Sequence, residues 1–212
     1  GFFTDAKAQS LELKGKTYQL RFSDEFSGTA VDTTKWQFRT DSKHWSTQLP
    51  QNNLVKDGLL QIQLKKETAR NMAYTGGGLI SKDTFGYGYY ETRMMTPKGA
   101  GWHSSFWLMG YDGSGGTSPS NTGIEIDILE NDSKITLGYR TNLHIWKGTH
   151  KDVGGEYVPS ENLNRDFQTV ACLYRPDSLF YYYNHRLVDK KEVRSVPRSG
   201  LNIWLTCIAS FL

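Results

Sequence analysis

The stretch from residue 123 to residue 131 constrains the fold of this chain more than any other segment. It reads Gly-Ile-Glu-Ile-Asp-Ile-Leu-Glu-Asn. In an extended strand, successive side chains point to opposite faces, so its isoleucines share one face and Glu125 and Asp127 share the other. One face therefore suits a hydrophobic core, and the other suits a wet, acidic surface. This pattern predicts a strand with one buried side.

Glu130 does not follow this alternation. It lies three residues after Asp127, so a regular strand would turn its side chain into the apolar face. Burying an ionised carboxylate among isoleucines costs far more than a local distortion of the strand. A β-bulge, in which two residues oppose one on the neighbouring strand, would return Glu130 to the acidic face. We therefore predict a bulge at Ile128–Leu129.

With that bulge, Glu125, Asp127 and Glu130 form a row on one face of the strand. The backbones of the two glutamates would lie about 13 Å apart at about 3.3 Å per residue. Side chains leaning inward over the shorter Asp127 would bring their carboxyls to about 5–5.5 Å, the separation that a retaining glycosidase requires. Repulsion among three close acids predicts that at least one pKa is raised. Spacing alone is equally compatible with an exposed acidic strand face or a calcium patch.

Several other blocks of sequence accompany this motif in a fixed order between about residue 20 and residue 205. They are Phe22–Phe26, Val31–Trp36, Asn53–Leu60, Thr75–Lys82, Tyr87–Arg93 and Gly101–Leu108. Together with the acidic stretch, they resemble glycoside hydrolase family 16 in its bulged Glu-x-Asp-x-x-Glu form. Each block alone is weakly specific, whereas their ordered succession is strongly so.

The resemblance implies a fold, a reaction and three catalytic roles. The expected fold is a concanavalin-type β-jelly roll with the acidic strand at the centre of a concave face. Glu125 would be the nucleophile, Asp127 the residue that orients and tunes it, and Glu130 the acid/base. The implied activity is retaining, endo-acting hydrolysis of internal β-linkages in a polysaccharide or glycan. Two alternatives on the same scaffold remain, a non-catalytic carbohydrate-binding protein and a transglycosylase.

The rest of the sequence independently predicts an all-β protein, a two-sheet antiparallel sandwich. Short alternating segments such as Leu60–Lys65 recur between turns rich in glycine and polar residues. Asp32–Trp36 indicates one capped helical turn, and no longer helix is expected. We find no repeat or linker, so residues 1–212 are interpreted as a single catalytic domain.

The C-terminal end departs from the family pattern. The chain finishes on the apolar run Cys207–Leu212 without the last strand that family members usually carry. Either the sequence is incomplete there or the N-terminal segment takes that place in the sheet. The calcium ion of the family commonly uses an aspartate from that strand. We therefore expect no required cofactor, and a structural calcium remains an alternative. No catalytic metal is expected either, because none of the five histidines has the spacing of a metal-binding pair.

Composition restricts the partners of the chain. Lys and Arg number 25 against 22 Asp and Glu, and the resulting net charge of +3 is too small to indicate nucleic acid or an anionic membrane. No apolar run is long enough for a membrane span. We expect a monomer that acts on a polysaccharide or glycan and is secreted or on the cell surface, with its signal peptide absent from this sequence. Cys172 and Cys207 are interpreted as two buried free thiols.

Four further residues are candidates for substrate binding: Trp102, His144, Trp146 and Arg93. Trp102 and Trp107 fall on opposite faces of one strand, and we assign Trp102 to the ligand face and Trp107 to the core. His144 would donate a hydrogen bond to a sugar or to the nucleophile, although a structural role explains it equally well. Arg93 would reach the acidic row or a sugar hydroxyl, with pairing to Glu91 as the alternative.

The identity of the sugar is less constrained by the sequence. Laminarin- and agar-cleaving relatives often carry a tryptophan shortly before the catalytic strand, and residues 117–122 contain no aromatic residue. The later His144-Ile145-Trp146 segment resembles the endo-β-galactosidase branch somewhat more than the laminarinases. Both a β-galactan or galactoside and a β-1,3-glucan therefore remain candidate substrates.

Overall fold

The structure, a computed structural model, describes residues 10–118, 123–192 and 200–210, and these form β-strands with one short helical segment. The strands are β1 Ser10–Leu13, β2 Lys16–Gln19, β3 Trp36–Phe38, β4 Ser42–Lys43, β5 Ser46–Gln48, β6 Asn53–Lys56, β7 Leu59–Ile62, β8 Tyr74–Ser81, β9 Gly88–Met94, β10 Trp102–Met109, β11 Ile124–Asp132, β12 Gly138–Ile145, β13 Lys151–Asp152, β14 Glu156–Pro159, β15 Gln168–Tyr174, β16 Ser178–Tyr183, β17 Arg186–Glu192 and β18 Asn202–Ala209. A 3-10 helix spans Pro50–Asn52. The all-β prediction is confirmed.

Two large sheets form the body of the fold. The ten-stranded sheet has the order β13-β12-β11-β10-β18-β8-β5-β4, with β14 paired to β12 and β3 paired to β8. The four-stranded sheet has the order β17-β16-β15-β9. Nearly all pairs are antiparallel, and the exception is β5 with β8. Strand β11, which carries the acidic row, lies well inside the ten-stranded sheet, so neighbours on both sides fix its side chains.

The main core lies between the inner faces of these two sheets. The isoleucines of β11 pack there with apolar residues of β10, β12, β15 and β16. Ile124 and Ile126 are fully buried, as the alternation in the sequence predicts. A side chain of this size contributes about 1.5–3 kcal/mol when fully buried, so this apolar face fixes which way β11 turns its acids.

The bulge predicted in β11 is confirmed. Asp127 pairs with Asn142 and Glu130 pairs with Arg140 on β12, so Ile128 and Leu129 together oppose a single residue, Thr141. Both bulge residues are buried in the core. The extra residue shifts the alternation by one position, and Glu130 therefore leaves the strand on the acidic side.

Other features of the fold also match the sequence. Cys172 and Cys207 are free and buried. The amide of Trp36 donates to the carbonyl oxygen of Asp32 over 3.0 Å, which closes the predicted helical turn. Strands β1 and β2 form a hairpin whose apolar residues pack on the outer face of the four-stranded sheet. Across the described residues, no helix is long and apolar enough to cross a membrane.

Candidate active site

The acidic row lies on the outer face of the ten-stranded sheet, opposite the main core. On β10, Met109 pairs with Glu125, Trp107 with Asp127 and Ser105 with Glu130. Direct cross-strand partners project on the same side of a sheet, so these β10 residues form the floor beside the acids.

The β12 neighbours complete the other side of the row. Cross-strand pairing places His144 beside Glu125 and Asn142 beside Asp127. The acids are thus held between two strands that are themselves paired on their far sides. This support from both sides restricts how far the carboxyls can move.

Burial and mutual repulsion govern the charges of the row. Asp127 is only 3% exposed, and burial followed by the charges of Glu130 and Glu125 raises its pKa well above the usual value. Burial also raises the pKa of Glu125, with a smaller contribution from Glu130, while His144 and Trp146 oppose that rise. Two carboxyl pKa values are thus raised, as the sequence predicted, but burial contributes more to the rise than the repulsion on which the prediction was based.

Trp146 and His144 both contact the acidic row. The indole Nε1 of Trp146 donates a hydrogen bond of 2.9 Å to Oε2 of Glu125. Nε2 of His144 lies 3.4 Å from Oδ2 of Asp127. That distance is long for a well-aligned hydrogen bond, and Oδ2 has no hydrogen-bond partner among the described residues. Both predicted residues therefore contact the acidic row, Trp146 at Glu125 and His144 at Asp127.

The charge of His144 is set by opposing effects. Burial alone would lower its pKa, but the neighbouring Asp127, Glu125 and Asp152 outweigh burial and raise the pKa to about 9. The pKa values of His144 and Asp127 depend on each other, because an ionised Asp127 stabilises the protonated form of His144. Because two carboxyl groups of the row face the imidazole, we infer that His144 is protonated at neutral pH.

A second histidine contacts the other end of the row. Nε2 of His103, on β10, lies 3.5 Å from Oε1 of Glu130, and both side chains are partly exposed. His103 is thus close enough to interact with the proposed acid/base residue through charge or through a small movement. No neighbouring residue in the sequence indicates a role for His103. Its position beside Glu130 becomes clear only from the register in which β10 pairs with β11.

The two strand tryptophans are placed opposite to the expectation. Trp107 pairs with Asp127, stacks on Trp204 with ring centroids 4.6 Å apart and donates from Nε1 to Thr206 over 3.2 Å. Trp102 projects from the other side of β10, is 4% exposed and donates to the carbonyl of Gly99. The assignment of Trp102 to substrate was wrong, because Trp102 lies on the same side of β10 as Phe106 and Leu108, which pack in the main core.

Arg93 also lies away from the acids. It belongs to β9 in the four-stranded sheet, where it pairs with Thr169. Its guanidinium lies 4.7 Å from the centre of the Phe167 ring. Since the acidic row lies on the ten-stranded sheet and faces away from the core, Arg93 does not reach it. The substrate-binding assignment of Arg93 was wrong, and the structure gives it a contact with an aromatic ring instead.

The loop after β10 forms a wall beside the floor. The amides of Thr40 and Asp41 donate to the carbonyl of Gly115 over 2.8 and 3.1 Å. A side chain at Gly116 would meet Asp41 at 2.4 Å, so this close approach requires glycine. Tyr111 packs edge-on against Trp204. Residues 119–122 of this loop lie outside the described residues.

One group of side chains in the described part of the chain has the spacing of a metal site. Ligand atoms of Glu125, Asp127 and His144 lie within 4.8 Å of one another. A metal ion bound there would have to displace the proton that His144 holds with its pKa of about 9.

Comparison with known proteins identifies the family. The family model described as beta-porphyranase A-D, GH16 domain, matches residues 18–206. This chain belongs to glycoside hydrolase family 16. It is 35% identical over 189 residues to beta-porphyranase E of Zobellia galactanivorans, a match that covers 82% of this chain and 63% of that protein. It is 31% identical over 166 residues to a beta-glucanase of Acetivibrio thermocellus, covering 73% and 45%.

Solved structures of the family share the fold. LamAcat from Zobellia galactanivorans superimposes with a TM-score of 0.80 at 21% identity, covering 90% of this chain and 87% of that one. The kappa-carrageenase from Pseudoalteromonas carrageenovora, in complex with an oligotetrasaccharide of kappa-carrageenan, gives a TM-score of 0.72 at 23% identity, covering 88% and 79%. At these identities the likeness establishes the jelly-roll fold alone. The chain spans about half the length of the curated relatives it matches.

Proposed function

We propose that this chain is a retaining endo-β-glycosidase that hydrolyses internal β-linkages of a polysaccharide or glycan. One observation carries the proposal. The bulge at Ile128–Leu129 returns Glu130 to the face that holds Glu125 and Asp127. Two glutamates on one open face, with a buried acid between them, meet the requirement of double displacement for a nucleophile and a separate proton donor.

The reaction proceeds in two steps. Glu125 attacks the anomeric carbon while Glu130 gives its proton to the leaving glycosidic oxygen, which leaves a glycosyl–enzyme ester on Glu125. Glu130, now ionised, removes a proton from water. That water attacks the same carbon, releases Glu125 and restores the proton to Glu130. The configuration at the anomeric carbon is retained because it is inverted twice.

Asp127 governs the charge of the nucleophile. Its pKa is raised furthest above its usual range by burial, so Asp127 is the acid of the row that holds a shared proton most readily. When Asp127 holds that proton, Glu125 is the ionised carboxylate that faces the protonated His144 and is available for attack. The hydrogen bond from Trp146 also favours the ionised form of Glu125.

The substrate class follows from the relatives and the aromatic floor. The candidates are a β-galactan or galactoside and a β-1,3-glucan, since the relatives include beta-porphyranases and a glucan endo-1,3-beta-glucosidase. We propose that neither metal nor cofactor takes part and that the protein acts as a monomer. Because polymers of this kind do not enter cells intact, we further propose a secreted or cell-surface location.

A panel of polysaccharides tests the proposal. The protein is incubated with porphyran, κ-carrageenan, laminarin and a β-1,3-1,4-glucan, and new reducing ends and product sizes are measured. Endo-hydrolysis predicts a ladder of oligosaccharides from at least one polymer, and Glu125→Gln and Glu130→Gln should each remove it without loss of folding. Binding without new ends would contradict the proposal, and lengthened chains would instead identify a transglycosylase.

A further inference from the structure

A third residue joins His144 and Trp146 beside the acidic row. Nδ1 of His144 lies 3.0 Å from Nε2 of His150. The ring of His150 stacks on the indole of Trp146, with centroids 3.9 Å apart and planes 11° from parallel. His150 therefore contacts the two side chains that contact Asp127 and Glu125, although it contacts neither acid itself. We call His144, Trp146 and His150 the ring cluster.

We propose that His150 is a positioning residue that fixes the proton on Nδ1 of His144 and the plane of the Trp146 indole. This inference rests on the function proposed above and adds a residue to it. His150 lies in the loop after β12, is exposed and is not part of any strand. Its contacts inside the ring cluster explain why an exposed loop residue would affect the chemistry of a buried row.

The partners of His144 show what His150 controls. Nε2 of His144 lies 3.1 Å from Nδ2 of Asn142 and 3.4 Å from Oδ2 of Asp127. Because Oδ1 of Asn142 accepts from the amide of Leu143, its Nδ2 presents a donor to the ring. Nε2 therefore faces one donor and one acceptor. It can accept from Asn142 when neutral and donate toward Asp127 when protonated.

His150 determines which nitrogen of His144 gains and loses a proton. When Nε2 of His150 accepts a hydrogen bond, Nδ1 of His144 holds its proton in both charge states of the ring. Proton gain and loss are then confined to Nε2, the atom that faces Asp127. Without an acceptor at position 150, the neutral ring can place its proton on either nitrogen, and the link between the imidazole and the acids weakens.

The charged groups around His144 all contribute to its proton affinity. Asp127 and Glu125 face it from β11, Asp152 faces it from β13, and His150 faces it from the loop. The carboxyl groups remain when His150 is replaced, so a change in the proton affinity of His144 on replacement reports the hydrogen bond itself.

Three replacements separate the two contacts of His150. His150→Gln keeps an acceptor at about the same reach and loses the ring. His150→Phe keeps a ring for stacking on Trp146 and removes the acceptor. His150→Ala removes both. His185→Ala is the matched control, because His185 is also exposed and lies 3.2 Å from Glu91 on the four-stranded sheet, away from the row. Circular dichroism confirms that each variant is folded.

The first measurement does not depend on activity. In protein with ¹⁵N-labelled histidine, the imidazole signals are followed by NMR from pH 5 to pH 10, and the His144 signal is identified by its absence in His144→Gln. We expect the pKa of His144 to fall by about one unit in His150→Phe and His150→Ala, since a hydrogen bond to a charged group is lost. His150→Gln should restore most of this shift, and His185→Ala should have none.

The second measurement is the pH profile of hydrolysis. We expect the alkaline limb of kcat/KM to move to lower pH by about one unit in His150→Phe, mainly through kcat, because His144 then loses its proton about one unit earlier, while the acid limb stays in place. An unchanged His144 signal together with an unchanged profile overturns the role of His150. Absence of hydrolysis in the unsubstituted protein would overturn the proposed function instead, and the NMR result would still decide the positioning role.

Discussion

Trp146 directly follows strand β12, which pairs with the strand of Glu125, and its indole Nε1 donates to Oε2 of the Glu125 carboxyl over 2.9 Å. This hydrogen bond stabilises the ionised carboxylate while burial and Glu130 favour the neutral acid. The balance between them determines the fraction of Glu125 that is ready to attack a sugar at a given pH. Trp146 thus tunes the charge of Glu125 as well as offering an aromatic ring.

Replacing Trp146 with Phe tests this balance. The variant keeps an aromatic ring but has no N–H, so the pKa of Glu125 should rise and the acid limb of kcat/KM should move to higher pH. A lost hydrogen bond to a charged group lowers kcat/KM at pH 6 by about tenfold or more. Steady-state kinetics from pH 4 to pH 9 measure both changes. A fall in activity with an unmoved acid limb would assign Trp146 to sugar stacking alone.

Replacing Asp127 with Asn tests its role beside the nucleophile. The amide has nearly the same shape but cannot exchange the shared proton, so kcat should fall by about 10- to 100-fold. Folding should be retained, because the buried carboxyl is already biased toward its neutral form. Asp132→Asn, on the same strand, is the control and should change kcat little. Wild-type turnover in Asp127→Asn would show that the buried acid has no part in the reaction.

His144 makes the stability of the protein depend on pH. Its pKa is raised from 6.5 to about 9 in the folded state. The folded protein therefore holds the proton more tightly than the unfolded chain, and the contribution is full below pH 6.5 and is lost as pH rises through 9. Denaturant unfolding should show stability falling by about 1 to 3 kcal/mol across that range.

His144→Gln supplies the comparison for this measurement. The variant lacks the titrating group, so its stability should decline less between pH 6.5 and pH 9. Some decline should persist, because the raised pKa of Asp127 acts in the same direction. Parallel curves for the two proteins would show that His144 is not protonated in the folded state at neutral pH.

If the bulge in β11 sets the direction of Glu130, a deletion and an insertion at the bulge should have opposite effects on activity. Ile128 and Leu129 occupy the place of one residue opposite Thr141. Deleting Ile128 restores a regular strand in which Glu130 still faces the acidic side, so activity should persist while the loss of a core side chain lowers stability by about 2–5 kcal/mol. Inserting Ala after Leu129 should turn Glu130 inward and abolish activity.

Reducing-end assays and thermal melts measure these two variants. Glu130→Gln gives the activity expected when the acid/base residue is lost with the strand intact. A folded deletion variant as inactive as Glu130→Gln would show that the bulge does more than set the direction of Glu130. An active insertion variant would show that the facing of Glu130 is not required.

The sequence predicted the acidic row and its bulge because both follow from local rules. Side-chain alternation and the cost of burying Glu130 required one extra residue in a strand with one apolar face. The all-β fold followed in the same way from short alternating segments. His144 and Trp146 were also found, since they follow the motif closely, on the next strand and directly after it.

The remaining site depends on which strands become neighbours, and local rules do not determine that. Trp107 lies on the acidic face because β10 pairs with β11 in a particular register, and the bulge shifts the relation between them. His103 meets Glu130 for the same reason. Arg93 was misplaced because nothing local indicates that β9 belongs to the other sheet. His150 approaches His144 through the course of a loop, which carries no periodic signal.

The stereochemistry of the first product tests the central claim most directly. The polymer that the protein cleaves is hydrolysed in an NMR tube, and the anomeric protons of the new reducing ends are followed before mutarotation mixes them. Double displacement through Glu125 and Glu130 predicts that the β-anomer appears first. Initial appearance of the α-anomer would mean a single displacement and would contradict the assignment of Glu125 as nucleophile.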